Sequence, residues 1–308
     1  NTYFDSGYLD FKILNIESNL NENKEKISIN IEISEGIQFV LGKVSFEGEL
    51  GNIKLNELNN AIAINEGDAF NRNSIIQSIQ SLTDMYADLG YAFVEINPIT
   101  SEFLNSVNIN FNISLNKKVY INRITISGNT RTQDEVIRRE IGISEGGLYS
   151  RSILRKSILK LRRLGYFSDV QISTSEVEDF SDKIDISFKV EETQTGSVSF
   201  SVSHSNNYGI SFGAGIEEKN IFGSGNTLNA ELNISESFNK ISFYFMNPNF
   251  NDEGHSVSFG AFKSEINDDD IAKNAYNIDS TGLSAGYGIP LSDDTRINSS
   301  LEYSKNTI

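Results

Sequence analysis

After Glu192 the apolar residues fall at every second position and helical spacing disappears. The runs are Val198, Phe200, Val202; Ile210, Phe212, Ala214, Ile216; Leu228, Ala230, Leu232, Ile234; and Ile241, Phe243, Phe245. Val257, Phe259, Ala261, then Leu283, Ala285, Tyr287, Ile289, then Ile297, Leu301, Tyr303 continue them. Successive side chains of a strand point to opposite faces, so this spacing dictates a sheet with one apolar face. Ser, Gly and Asn fill the other face, with few Lys, and segments such as SNN from Ser205, SFN from Ser237 and NDEG from Asn251 serve as turns. A soluble β-sandwich and a transmembrane barrel both satisfy such a pattern, because either buries the apolar face, one in protein and the other in lipid. Two details favour the barrel: the succession of simple hairpins, and the small side chains where a solvated sandwich face carries long charged ones. Residues 195–308 also hold 14 Asp and Glu against 6 Lys and Arg, much of the acid in turn-like segments such as Asn267–Asp270, where water solvates it.

Before Glu192 the spacing is different and it repeats. One unit opens with the strand-like Val44–Gly48, passes through a helical stretch Leu55–Ile62 and reaches a second helix from about Asn73 to Leu89. Ile75, Ile79, Leu82, Tyr86 and Leu89 of that helix recur at steps of three and four, which places them on one face. A strand after Gly90 follows, then the alternating Val107, Ile109, Phe111, Ile113, Leu115. The order strand, helix, helix, strand, strand recurs from Ile124, with Leu154, Ile158 and Leu161 on the second helix and Ile184, Ile186, Phe188, Val190 on the last strand. Thr132 with Glu135 three residues on fits a capping box at the first helix of that unit. The alternation of Ile27, Ile29, Ile31 and Ile33 makes residues 1–35 the end of an earlier copy.

Gly-Tyr marks each unit, at Gly7, Gly90 and Gly165. A helix ends well in a residue that accepts the left-handed conformation, and Gly accepts it without a Cβ clash. Gly90 and Gly165 are therefore expected just past their helix ends, with the following aromatic opening a strand.

Composition narrows the partners. A net charge of −16 and few clustered cations exclude nucleic acid as a partner, since a phosphate backbone is held through Lys and Arg. With no Cys there are no disulfides or thiolate metal sites. No apolar run is long enough for a transmembrane helix and no signal peptide opens the chain. A first residue other than Met and an end directly after a strand-like run, LEYSKNTI, are read as the limits of a fragment.

At this point the residues carry a resemblance. ITISGNTRTQDEVIRREI (124–141), GYFSDV (165–170), the junction from Val190 to Leu228 (VEETQTGSVSFSVSHSNNYGISFGAGIEEKNIFGSGNTL) and FYFMNPNF (243–250) resemble the outer-membrane assembly factors of the Omp85 superfamily. The resemblance implies an α+β array of POTRA repeats (βααββ) followed by an antiparallel transmembrane β-barrel, here partial. It divides the chain into 1–36, the C-terminal part of a third POTRA domain; 37–117, a fourth; 118–193, a fifth; and 194–308, the N-terminal barrel strands. That would be six or seven of the family's roughly sixteen strands. It implies a non-enzymatic role at the cell outer membrane, with the POTRA domains in the periplasm: folding and inserting unfolded outer-membrane proteins by β-augmentation, with assembly-complex lipoproteins and outer-membrane lipid as further partners. It implies no cofactor and no metal. Carried over residue by residue, Glu140, with Arg138 and Arg139, would bind a partner lipoprotein. Tyr8, Leu9, Asp10, Phe11, Lys12 and Ile13 would be an edge that holds extended substrate, and Gly196, Ser197, Val198, Ser199 and Phe200 would be the first strand of a lateral gate, acting through backbone groups. A two-partner secretion or translocation-assembly transporter of the same superfamily remains an alternative, and a soluble periplasmic β-sandwich binding module is the alternative of a different class.

Other candidates are weaker on their own chemistry. His204 and His255, the two histidines, have no Ser, Cys or second His at catalytic spacing. Asp268–Asp270 lacks the alternation and downstream Glu of a calcium loop, and FGSGN (222–226) lacks the Lys of a phosphate loop, so it is read as a turn between the second and third barrel strands.

Overall fold

The computed structural model describes residues 2–20, 26–178, 180–205, 209–268 and 276–308. Asp269 and Asp270 of the acidic segment, and Asn206 and Asn207 of the SNN turn, lie outside them. Helix α1 (Thr2–Asp5) leads to strands β1 (Lys12–Leu20) and β2 (Ile27–Ser34), an antiparallel pair. Then come β3 (Val40–Gly48), α2 (Leu55–Ala61), α3 (Arg72–Asp88), β4 (Glu95–Phe103) and β5 (Ser106–Ser114). The next copy is β6 (Tyr120–Ser127), α4 (Asp134–Arg138), α5 (Arg151–Arg163), β7 (Phe167–Val177) and β8 (Phe180–Glu192). Both copies have the βααββ order, with sheet orders β3-β5-β4 and β6-β8-β7, so the fourth and seventh strands are sheet edges.

Local chemistry accounts for these limits. The Asn71 side chain accepts from Ser74 N–H at 3.1 Å and starts α3. At its other end the amide of Gly90 reaches the Ala87 carbonyl and that of Tyr91 the Tyr86 carbonyl, each at 3.1 Å, with Gly90 at φ +97. These two bonds make a Schellman motif, and the same pair recurs from Gly7 to Phe4 and Tyr8 to Tyr3. Leu82 and Tyr86 of α3 are fully buried with Phe111 and Ile113 of β5, so the helical stripe and the alternating strand meet in one core.

Three local expectations are corrected. The chain does not enter a strand at Tyr8: Tyr8 to Phe11 turn, and β1 begins at Lys12, leaving Lys12 and Ile13 as the strand positions of the expected edge. The cause is aromatic packing, since Phe11 stacks on Tyr3 of α1 at 4.1 Å and must double back to do so. After Gly90 the strand likewise waits until Glu95. The capping box does not form, because α4 starts from Gln133 with no side-chain cap and Thr132 is engaged elsewhere.

From Thr195 onward there is one sheet of seven strands: β9 (Gly196–Ser205), β10 (Gly209–Ile221), β11 (Asn226–Ser235), β12 (Phe238–Asn247), β13 (Ser256–Asp268), β14 (Tyr276–Ser292) and β15 (Thr295–Thr307), paired antiparallel in chain order. Register keeps the apolar positions together: Phe200 faces Ala214, Ala214 faces Leu232, and Phe243 faces Ala230 and Ala261. This face is uncovered, with Phe200 at 82% and Leu301 at 81% exposure. A sandwich would bury it against a second sheet, so the sandwich alternative is set aside and the fold is βααββ repeats followed by part of an antiparallel barrel-type sheet.

Contacts divide the chain into two compact units, one of residues 1–124, 143–155 and 174–186, the other of 125–142, 156–173 and 187–308. The division runs through β6, α5, β7 and β8. In the first unit Asp88 at the end of α3 accepts from Ser150 Oγ and Ser152 N–H, both at 2.8 Å, so it caps the start of α5, while Asp84 receives Arg151 and Arg155.

Two of the Gly-Tyr glycines, Gly90 and Gly165, predict different costs. A Cβ on Gly90 would meet Leu148 Cδ1 at 2.5 Å, whereas one on Gly165 meets nothing within 4 Å. Gly165→Ala is expected to cost about 1 kcal/mol of backbone strain and Gly90→Ala about 2–3 kcal/mol, read from urea denaturation.

Candidate functional site

The second unit brings the segments around α4 and α5 together with three turns at one end of the seven-strand sheet. At the centre is Glu192, the last residue of β8. Its carboxylate accepts from Thr130 N–H at 2.9 Å and Thr130 Oγ1 at 2.8 Å, from Arg131 N–H at 2.9 Å, and from Thr132 N–H at 2.6 Å. Burial opposes its ionisation, but the Thr132, Thr130 and Arg131 donors outweigh this and hold its pKa down to about 2. The loop before α4 is thereby tied to the strand that leads into β9.

A polar chain extends from this point into the sheet. Thr132 Oγ1 accepts from Asn220 Nδ2 at 2.9 Å, and Asn220 Oδ1 accepts from Gly225 N–H at 2.7 Å. Tyr166 Oη donates to the Gly225 carbonyl at 3.2 Å, and Gln133 N–H donates to the Gly223 carbonyl at 2.9 Å. Asn220 is 8% and Tyr166 5% exposed, so these bonds satisfy groups that water does not reach. Burial first of all pushes the Tyr166 phenol up; Arg139 opposes it, and Glu140 and Glu218 add to the upward push. The FGSGN turn fits because a Cβ on Gly223, at φ +71, would sit 1.9 Å from the Arg131 carbonyl. A cavity of about 340 Å³ remains beside the turn, bordered by Glu192, Tyr166 and Phe222.

The Arg138, Arg139, Glu140 stretch is split by this arrangement. Arg138 is exposed and pairs with Asp134 on its own helix. Arg139 and Glu140 are mostly buried side by side, 3.8 Å apart. With the Asn249 amide turned to satisfy both its ends, its oxygen accepts from Arg139 Nε at 3.2 Å, so Arg139 is joined to the turn between β12 and β13. All three border a groove of about 940 Å³ together with Phe250, Asp293 and Arg296.

Gly196, Ser197, Val198, Ser199 and Phe200 begin β9, which is hydrogen-bonded to β10 on one side and forms an edge of the sheet on the other. Its root is fixed: the Thr193 amide bonds to Tyr166 O at 2.9 Å, and the Lys219 amide to Thr195 O at 3.3 Å. His204 lies in β9, and His255 Nδ1 is 2.6 Å from Tyr287 Oη. The Tyr8 to Ile13 segment belongs to the first unit. Sequence reasoning missed Glu192 and Asn220; it placed FGSGN as the turn between the second and third sheet strands, where it lies, but not its approach to Arg131.

Family models match here. The POTRA model, described as a surface antigen variable number repeat, covers residues 39–114 and 119–193, and the Omp85 superfamily domain covers 220–308. The outer membrane protein assembly factor BamA of Neisseria meningitidis serogroup B is 29% identical over 300 residues, 96% of this chain and 38% of that protein. Its counterpart from Nitratidesulfovibrio vulgaris is 32% identical over 258 residues, 82% of this chain and 32% of that protein. The crystal structure of Haemophilus ducreyi BamA lacking POTRA domains 1-3 superposes with a TM-score of 0.76 at 24% identity, over 87% of this chain and 51% of that one. The chain thus spans well under two thirds of each of these relatives.

Glu192→Gln should cost about 1.5–3 kcal/mol at neutral pH, seen as roughly ten- to hundredfold faster hydrogen exchange at Thr130–Thr132. The sign follows from a depressed carboxylate: the gap between wild type and variant is full above the ordinary value of 4.5, shrinks as pH falls toward about 2, and closes below it.

Proposed function

The chain belongs to the Omp85 superfamily, and from that membership we propose that it is the part of an outer-membrane assembly factor that helps fold and insert β-barrel proteins by lending them a strand edge. It lies in the outer membrane, with its POTRA repeats in the periplasm. The proposed division is 37–117 and 118–193 for two whole repeats, 1–36 for the end of another and 194–308 for barrel strands.

The observation that carries the reading is β9, an edge strand of a sheet with one apolar, exposed face. In hydrocarbon each unpaired backbone group costs several kcal/mol, so a nascent strand cannot enter alone. An edge already at membrane depth supplies the missing partners, by β-augmentation. Gly196, Ser197, Val198, Ser199 and Phe200 act through their amides and carbonyls, with the alternate side chains toward lipid. No covalent step is needed, and the role is that of a template rather than an enzyme.

Unfolded outer-membrane proteins are the proposed substrates, and the edge positions Lys12 and Ile13 of the β1–β2 pair offer a place to hold them in extended form before insertion. Lipoproteins of the assembly complex are the proposed further partners, at the groove containing Glu140. Because Arg139 is engaged with Asn249, the exposed Arg138 and the accessible edge of Glu140 are the contacts such a partner would use.

In the full-length protein, cysteines at Val198 or Phe200 are expected to crosslink to cysteines on the terminal strand of a substrate during assembly. Complete absence of such crosslinks at every register would refute the template role. In the same cells Glu140→Lys is expected to reduce lipoprotein co-purification by about tenfold, as for loss of a partly buried charge contact.

A further inference from the structure

The bonds between the α4–α5 segments of the second unit and the sheet fall on three successive turns at one end, and their chemistry changes along the sheet. On the turn between β10 and β11 they are neutral: one joins buried Asn220 to buried Thr132 at 2.9 Å, and the other runs from the Gln133 amide to the carbonyl of buried Gly223 at 2.9 Å. On the turn between β12 and β13, the Arg139 guanidinium meets a neutral amide at 3.2 Å. On the turn between β14 and β15 they are ion pairs, Lys160 to Asp293 at 2.7 Å and Arg163 to Asp294 at 2.8 Å. The last pair is open to water, with side chains 65% and 75% exposed.

Exposed ion pairs are weak and are screened by salt, whereas buried neutral hydrogen bonds are not. We propose that this gradient makes the sheet stiff at the root of β9 and compliant at β14–β15, a fixed template joined to a wall that can yield. The inference rests on the reading of β9 as the templating strand. A template binds best when its edge is preorganised, and the Asn220–Thr132 link borders the same cavity as Thr195, the residue before β9. The rest of the sheet must give way to admit a guest strand, and its far turn is held by contacts that break locally. Lys160 and Arg163 on one side and Asp293 and Asp294 on the other are then releasable fasteners, while Thr132 and Asn220 are positioning residues for the template edge.

Hydrogen exchange on the full-length protein in lipid nanodiscs tests this turn by turn. Raising NaCl from about 0.05 to 0.5 M should speed exchange at Asp293–Thr295 by about three- to tenfold and leave Gly223–Gly225 unchanged. Lys160→Glu should reproduce that effect at low salt, and Lys160→Asp with Asp293→Lys should reverse it. Thr132→Val should instead release Gly223–Gly225 and lower the crosslink yield from Val198 to substrate, with Thr132→Ser restoring both. Lys160→Glu should leave the crosslink register at Val198 unaltered. If salt or Lys160→Glu loosens all three turns together, or leaves Asp293–Thr295 unmoved, the graded grip is wrong. If wild type gives no crosslink from β9 at all, the template reading fails, while the exchange pattern still decides the grip.

Discussion

One carboxylate organises the part of the molecule where the repeats give way to the membrane sheet. Glu192 gathers the amides of Thr130, Arg131 and Thr132 at the end of β8, which fixes the loop before α4 and turns Thr132 Oγ1 toward Asn220. Asn220 in turn shapes the β10–β11 turn through Gly225, and Tyr166 closes the circuit on the same carbonyl. Glu192 is charged and Thr132, Asn220 and Tyr166 are buried, so removing one of them leaves its neighbours without partners, and the network holds or loosens as a unit.

The membrane sheet solves a different problem. Its alternation places large apolar side chains on one face and small polar ones on the other, and the register aligns these across all seven strands. Large apolar side chains belong on the face toward lipid, and Ser and Gly keep the other face shallow. The strand edges are where such a sheet is reactive, since they carry backbone groups that hydrocarbon cannot satisfy. Fixing the root of β9 through the junction places that reactivity at a defined position.

Much of this was legible in the sequence because it is periodic. The alternating runs of Ile27–Ile33, Val107–Ile113 and Ile184–Val190 fall in strands, and Gly90 and Tyr91 end the helix through local bonds to Ala87 and Tyr86 that need no distant partner. The failures share another cause. Thr132 has the spacing of a capping box, yet a stronger acceptor and a donor from far along the chain claim its polar groups. Tyr8 has the neighbours of a strand opener, yet ring packing of Phe11 on Tyr3 turns the chain away. Arg139 and Glu140 read as a surface pair, and only the approach of Asn249 and Tyr166 reveals them as mostly buried.

The sequence by itself determined the repeat order, the helix stops and the two-faced sheet, because each is encoded within a few residues by period or by the conformational freedom of glycine. It also carried the family resemblance that the comparisons bear out. Tertiary structure alone decided that Glu192 would meet amides about sixty residues away and that Asn220 would meet Thr132 across eighty-eight. It alone decided that the apolar face stays uncovered rather than sandwiched. Such pairings leave no periodic trace: any Glu at a strand end has the same local pattern, and only the folded chain selects which one is brought to a row of free amides.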